Sequence, residues 1–287
     1  MRAAFIDVDG VRTRYLYEGS GPPLILLHGV GVSGDTFCRN IDALAAHFTV
    51  CAPDMLGHGF TDAVDYQGGP PQPHIVRHLG RLADLLGFKK YSVAGSSFGA
   101  LIAALMYFDR PERVSKLILI GSGSVFHTAA DQIRTLQAAF ANASTAMGAP
   151  TLASCRERLA NICYRREAVA EEILLLQLTS YALPDRFAAY KATIQGMIDE
   201  LSSEAPERHR VLKRLESIKV PTLVLTGRND IRAQLSTHEE GVKRIPRAEL
   251  VVFDQCNHLP YMEYPDRFNE TVTKFMAEER EYAKAHN

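Results

Sequence analysis

Apolar and polar residues alternate along Ala4 to Val8 and again along Arg12 to Tyr17, with Asp9-Gly10 between the two runs. A period of two is that of a strand with one buried face, and an Asp-Gly pair between such runs predicts a hairpin. The pattern then changes. Leu24 to Leu27 is an unbroken apolar run, as expected of a strand covered on both sides. A helical pattern over about Asp35 to His47 leads to a second such strand, Phe48 to Ala52. After a glycine-rich loop from Pro53 to Asp62, an amphipathic helix is predicted from Pro73 to Leu86, closed by Gly87. A strand at Tyr91 to Ala94, a helix at Ala100 to Phe108 and a strand at Lys116 to Ile120 continue the rhythm.

There the rhythm stops. Ser124 to Glu216 carries only helical patterns, for example Arg156 to Cys163 and Ala168 to Leu178, broken at Pro150, Pro184 and Pro206. It resumes with a strand at Pro221 to Thr226, a helix at Thr237 to Arg244, a strand at Ala248 to Phe253 and a last helix at Pro265 to Tyr282. Strands alternating with helices predict an α/β fold with a mostly parallel central sheet flanked by helices, which binds ligands beyond the carboxyl ends of its strands. The expected division is a core of 1–123 and 214–287 and an inserted helical cap of 124–213 that roofs that edge.

Composition narrows the function classes. In 287 residues, 32 Lys and Arg nearly balance 33 Asp and Glu, and the net charge of −1 gives no basic excess for nucleic acid. No apolar run reaches the roughly 18 residues of a membrane span. Five cysteines without C-x-x-C spacing, and no signal-type segment before the first strand, lead to an expectation of free thiols and a cytoplasmic location. His74 and His78 are four apart on a helix but lack a third ligand, and Gly121-Ser122-Gly123 lacks the rest of a dinucleotide fingerprint. Neither metal nor cofactor is expected. The exposed helices and terminal strands could support a homodimer.

Reactive side chains recur at strand ends. Gly95-Ser96-Ser97-Phe98-Gly99 joins a strand to a helix and matches G-x-S-x-G, the turn that projects a nucleophilic serine from a sheet edge. A serine hydroxyl needs an imidazole to take its proton, and that imidazole needs an acid to fix its tautomer. Asp230 follows the strand after the helical insertion and His258 follows the final strand, in the order Ser97, Asp230, His258. The accompanying oxyanion hole is expected at the backbone N–H groups of Val30 and Phe98. His28 reads as a structural hydrogen-bonder, and Asp54 and Asp62 as turn formers.

Together His28-Gly29, Asp54-Met55-Leu56-Gly57-His58-Gly59, Gly95 to Gly99, Gly227 to Asp230 and Cys256-Asn257-His258 resemble the α/β-hydrolase superfamily. Arg39-Asn40, His74 to Leu79, Leu117 to Gly123 and Glu171 to Tyr190 look most like its meta-cleavage-product hydrolases, which cut a carbon–carbon bond in vinylogous diketo acids. The resemblance implies substrate-binding positions at Gly29, Asn40, Gln177 and Leu259. That family has Asn before the nucleophile, Met after it and Trp after the histidine, where this chain has Ser96, Phe98 and Leu259. Its substrate-binding cap arginine falls on Gln177, so a neutral substrate enters as an alternative. The expected function is that of a serine hydrolase acting on a small hydrophobic carbonyl compound, by carbon–carbon cleavage or as a carboxylesterase or lactonase. A non-catalytic ligand receptor is the rival from another class. Phe126, Phe140, Tyr181, Phe187 and the run Ile173 to Leu176 suggest a hydrophobic pocket, with most of them expected as packing rather than lining.

Overall fold

A computed structural model describes residues 1–203 and 209–278. The alternating runs form the hairpin β1 (Arg2–Val8) and β2 (Val11–Glu18), followed by the buried β3 (Pro23–Leu27). The predicted first helix is split into a 3-10 turn (Gly34–Phe37) and α1 (Cys38–Ala45), and it returns to β4 (Thr49–Pro53). Then come α2 (Pro71–Leu85), β5 (Tyr91–Ser96), α3 (Phe98–Asp109) and β6 (Val114–Ile120). Helix α2 begins at Pro71 rather than Pro73, because a proline at the first helical position gives up no hydrogen bond.

Between β6 and the next strand lie α4 (Gly123–Phe126), α5 (Ala129–Gly148), α6 (Leu152–Ala160), α7 (Glu171–Tyr181) and α8 (Arg186–Ser202), then a 3-10 turn at Val211–Ser217. Helix α6 starts earlier than its apolar spacing indicates. Thr151 and Ser154 cap it reciprocally, side chain to backbone in both directions. The chain closes with β7 (Thr222–Gly227), α9 (Leu235–Val242), β8 (Ala248–Phe253), α10 (Pro260–Glu263) and α11 (Pro265–Ala277). The expected break at Pro206 and the end of the last helix at 279–282 fall outside the described residues.

The eight strands of the described residues form one sheet in the order β1-β2-β4-β3-β5-β6-β7-β8. Only β1 with β2 and β2 with β4 pair antiparallel; the other pairs are parallel. Strand β5 is buried throughout, as a central strand with helices on both faces must be. All five cysteines are free thiols. No helix among the described residues is long and apolar enough to cross a membrane.

Beneath the loops at the carboxyl edge lies a buried ion network. Arg14 of β2 holds Asp35 with two bonds of 2.6 and 2.7 Å and reaches Asp54 at 3.1 Å. Asp54 also accepts the Gly34 and Phe60 amides at 2.8 and 2.9 Å, so one carboxylate ties the loop after β3 to the loop after β4. The expectation of Asp54 as a simple turn former is thereby corrected. Arg14→Met would leave two buried carboxylates without their cation and should cost about 3–5 kcal/mol. The check is urea unfolding beside Arg2→Ala, whose exposed pair with Glu18 is expected to matter by less than about 1 kcal/mol.

Buried histidines give the fold an acid dependence. Burial pushes His58 down to about 3 and His78 down to about 4. In the unfolded chain both titrate near 6.5. Between those values the unfolded state binds protons that the native state refuses, so stability is complete above about pH 6.5 and falls on acidification. Each histidine contributes a slope of up to about 1.4 kcal/mol per pH unit. Urea midpoints should drop between pH 7 and pH 5, above the range where most carboxylates titrate. His78→Gln, which can keep the bond to Thr13, should flatten that slope by about one proton. An unchanged slope would contradict this account.

Candidate active site

The turn between β5 and α3 is set by contact between backbones. A methyl group added at Gly95 would overlap the Gly99 carbonyl, and one at Gly99 would overlap the Leu27 and His28 carbonyls. Both positions therefore exclude any side chain. Bent this tightly, the chain carries Ser97 at φ 53° and ψ −114°, a conformation costing a non-glycine residue about 1–3 kcal/mol. The Ser97 amide donates to Ile120 at 2.8 Å, which anchors the turn to the end of β6.

Asp230 and His258 stand on the loops after β7 and β8. The His258 Nδ1 lies 2.9 Å from Asp230 Oδ2. Asp230 Oδ1 accepts the amides of Arg232 and Ala233 at 2.8 and 2.9 Å. Burial opposes the charge on Asp230, but the His258 ring and these N–H groups outweigh it and hold the carboxyl below its ordinary range. An ionised Asp230 only accepts, so Nδ1 carries the proton and Nε2 the lone pair. Nε2 is buried and has no hydrogen-bond partner among the described residues.

The two loops are also tied to each other and to the inserted helices. Asn257 Oδ1 accepts the Ile231 amide at 3.1 Å, and Asn229 donates to Cys256 at 2.9 Å. His258 donates its own amide to Ile162, just past α6, at 3.1 Å. Glu263 accepts the amides of Tyr164, Arg165 and Asn257 at 2.8 to 2.9 Å, joining the segment after α6 to the histidine loop.

Ser97 and His258 face two cavities at once. The first is lined by Leu136, Ala139 and Met197 with Phe98, Gln132 and His127. The second is lined by Gly29, Thr36, Ser96, Leu259 and Tyr261 with Asn142 and Arg158. Val30, Ser97, Arg232 and His258 border both. Neither the Val30 nor the Phe98 amide has an acceptor among the described residues, and Phe98 opens α3, where no intrahelical partner exists.

Of the expected substrate-binding positions, Gly29 and Leu259 line the second cavity, whereas Asn40 and Gln177 line neither. The Asn40 amide nitrogen donates to Tyr261 at 3.1 Å and Asn269 at 2.9 Å, which fastens α1 to α10 and α11. Gln177 donates to Ser33 at 3.0 Å, and its Oε1 lies 2.6 Å from the Tyr181 hydroxyl. Both side chains, outside the two cavities, are thus engaged by protein groups. The aromatic residues of the inserted helices pack, as expected of most of them. Phe140 stacks with Phe187 at 6.3 Å and Phe126 packs on His238 at 5.2 Å, and neither they nor Tyr181 lines either cavity. His28 is structural, with Nε2 accepting the Met55 amide at 3.0 Å.

No group of three or more His, Cys, Asp or Glu that could hold a metal occurs among the described residues. His78 pairs with Thr13 at 3.0 Å, and His74 packs on Tyr66. Nothing in the sequence singles out Arg158 and Arg232: one sits among other charged residues of a helix, and the other is an unremarkable loop residue two places past Asp230.

Gly99→Ala should destabilise the protein by about 3 kcal/mol or more, at the upper end of overpacking, because carbonyls rather than flexible side chains occupy the space. Urea unfolding measures it, and a change below about 0.5 kcal/mol would show that the turn can open.

With this geometry in view, the similarities to known proteins are specific. A family profile for the alpha/beta hydrolase fold matches residues 22–265. The chain is 30% identical over 276 residues to a 2-hydroxymuconate semialdehyde hydrolase of Pseudomonas putida, covering 94% of this chain and 92% of that one. A solved meta-cleavage product hydrolase from Pseudomonas fluorescens superposes with a TM-score of 0.76 at 28% identity, over 95% of this chain and 97% of that one. A thermophilic esterase from Thermogutta terrifontis superposes with a TM-score of 0.76 at 22% identity, over 96% of this chain and 98% of that one, a likeness of fold alone.

Proposed function

The chain belongs to the α/β-hydrolase family and is a hydrolase most similar to the meta-cleavage product enzymes, and from that premise we propose that Ser97 is its nucleophile, His258 its base and Asp230 the acid that orients the base. The observation that carries this reading is the meeting of two cavities at Ser97 and His258, with His258 hydrogen-bonded to Asp230 at 2.9 Å. A carbonyl compound placed there has one arm in each cavity and its reacting carbon at the junction.

In the proposed mechanism the Ser97 hydroxyl adds to the carbonyl while His258 Nε2 takes its proton. The imidazolium that forms is stabilised by Asp230. The negative oxygen points at the Val30 and Phe98 N–H groups, a kind of contact whose loss costs about 10²–10³ in rate. Collapse breaks the bond to the leaving carbon. Its electron pair flows into the conjugated ketone of a vinylogous diketo acid, and the proton from His258 neutralises the resulting enolate. Water, deprotonated by His258, then cleaves the acyl-enzyme. The inserted helices act as a cap that walls both cavities with Leu136, Ala139, Asn142, Arg158 and Met197. Supporting the substrate class are the relatives named as hydrolases of 2-hydroxymuconate semialdehyde and of 2-hydroxy-6-oxononadienedioate.

Ester or lactone hydrolysis would use the same groups. The apolar part of the first cavity favours a neutral acyl group as a second substrate class.

Ser97→Ala should lower turnover of a 2-hydroxy-6-oxodienoate, followed by loss of its chromophore, by about 10⁴-fold or more. The same variant should lose labelling by a fluorophosphonate. Labelling that persists at another residue would overturn the assignment of Ser97. Turnover of p-nitrophenyl butyrate but not of the dienoate would select the ester reading.

A further inference from the structure

Two guanidinium groups border the second cavity, and neither has a salt-bridged carboxylate among the described residues. Arg158 of α6 is buried, borders the second cavity and donates to the Gly31 carbonyl at 2.6 Å and the Val30 carbonyl at 3.3 Å. Its guanidinium also lies over the Tyr181 ring at 5.2 Å. Arg232 borders both cavities, and its side chain has no hydrogen-bond or carboxylate partner among the described residues. Neither arginine forms an ion pair there, in contrast to Arg14 with its two carboxylates.

Such an arrangement is costly for a protein to keep empty. Burying a cation removes its hydration, and a second cation nearby adds repulsion. Both effects act here. Burial, helped by the charge of Arg232, holds Arg158 down to about 10, and burial lowers Arg232 too. Facing them are the Tyr190 phenol and the Cys155 thiol, both pushed up by burial, and the Tyr181 ring, while the Asp230 carboxylate, which favours the charge on Arg232 through space, spends its oxygens on His258 and two amides. A ligand anion is the missing counter-charge.

Resting on the reading of Ser97 as nucleophile, we propose that Arg232, with Arg158 behind it, binds a carboxylate on the substrate arm that enters the second cavity. The chain would then select substrates carrying an acid on that arm, and Gln177, spent on Ser33 and Tyr181, takes no part. Planar guanidinium groups suit a carboxylate, with two N–H groups meeting two oxygens. Thr36, Ser96 and Tyr261 give the same cavity hydroxyl groups, whereas the first cavity is lined in part by Leu136, Ala139 and Met197.

The test compares two esters, p-nitrophenyl hydrogen glutarate and p-nitrophenyl butyrate, as a ratio of kcat/KM values. In the unaltered protein the ratio should favour the glutarate ester. Arg232→Gln should lower that ratio by about 10- to 50-fold, the size expected for a charge-assisted contact, and Arg232→Lys should restore part of it. Arg158→Gln also removes bonds to the Val30 loop, so Arg232→Gln is the deciding variant. A ratio unchanged in Arg232→Gln, or both esters slowed equally, overturns the assignment. If the unaltered protein cleaves neither ester, the reading of Ser97 stands or falls on the dienoate and the fluorophosphonate, and thermal unfolding decides the arginine assignment instead. Glutarate, but not its uncharged diamide, should then raise Tm, and Arg232→Gln should abolish the rise. No rise with glutarate also overturns the proposal.

Discussion

The site depends on how closely two stretches of backbone approach each other after β5. Gly95 lies against Gly99, and Gly99 lies against the carbonyls that end β3, with no room for a carbon atom between them. From that contact follow the positive φ of Ser97, its place above the sheet edge and the start of α3 at Phe98. The same closeness brings Val30, on the loop after β3, to the border of both cavities beside Ser97. A more relaxed turn would leave the serine within the sheet. The strain of Ser97 is balanced by α3, which is apolar nearly all round and buried along most of its length.

Polar interactions fasten the loops at the carboxyl edge, and Arg14, Asp35 and Asp54 hold two of them from below. On the far side of Ser97, Asp230, Asn257 and Glu263 hold the other two by accepting backbone amides. Each of these carboxylates is satisfied several times over, which is the condition under which burying charge is tolerable. Arg232 is the exception. Its isolation is at the point where the two cavities meet.

Much of this was legible in the sequence because it is local. The period-two runs became β1 and β2, the continuous apolar runs became β3 and β5, and the ends of β5, β7 and β8 carry the residues that the order of motifs singled out. Helix limits were less legible where a cap outranks apolar spacing, as at Thr151 and Pro71. The roles of Asn40, Gln177 and Asp54 were hidden for another reason. Each is decided by a partner far along the chain: Asn269, Ser33 and Arg14 respectively. An amide placed by likeness to a family does not reveal that a tyrosine and a serine already occupy it. Nor does a helix dense in charge reveal which arginine turns inward.

The bond from the His258 amide to the Ile162 carbonyl, and the grip of Glu263 on Tyr164 and Arg165, bear on how such an enzyme could be remodelled. The inserted helices are chained to the segment that bears the imidazole. Trimming them to admit bulkier molecules would unhook that segment and let the ring drift from Asp230. Access has to widen by exchanging side chains on the cavity walls, with the insertion kept whole.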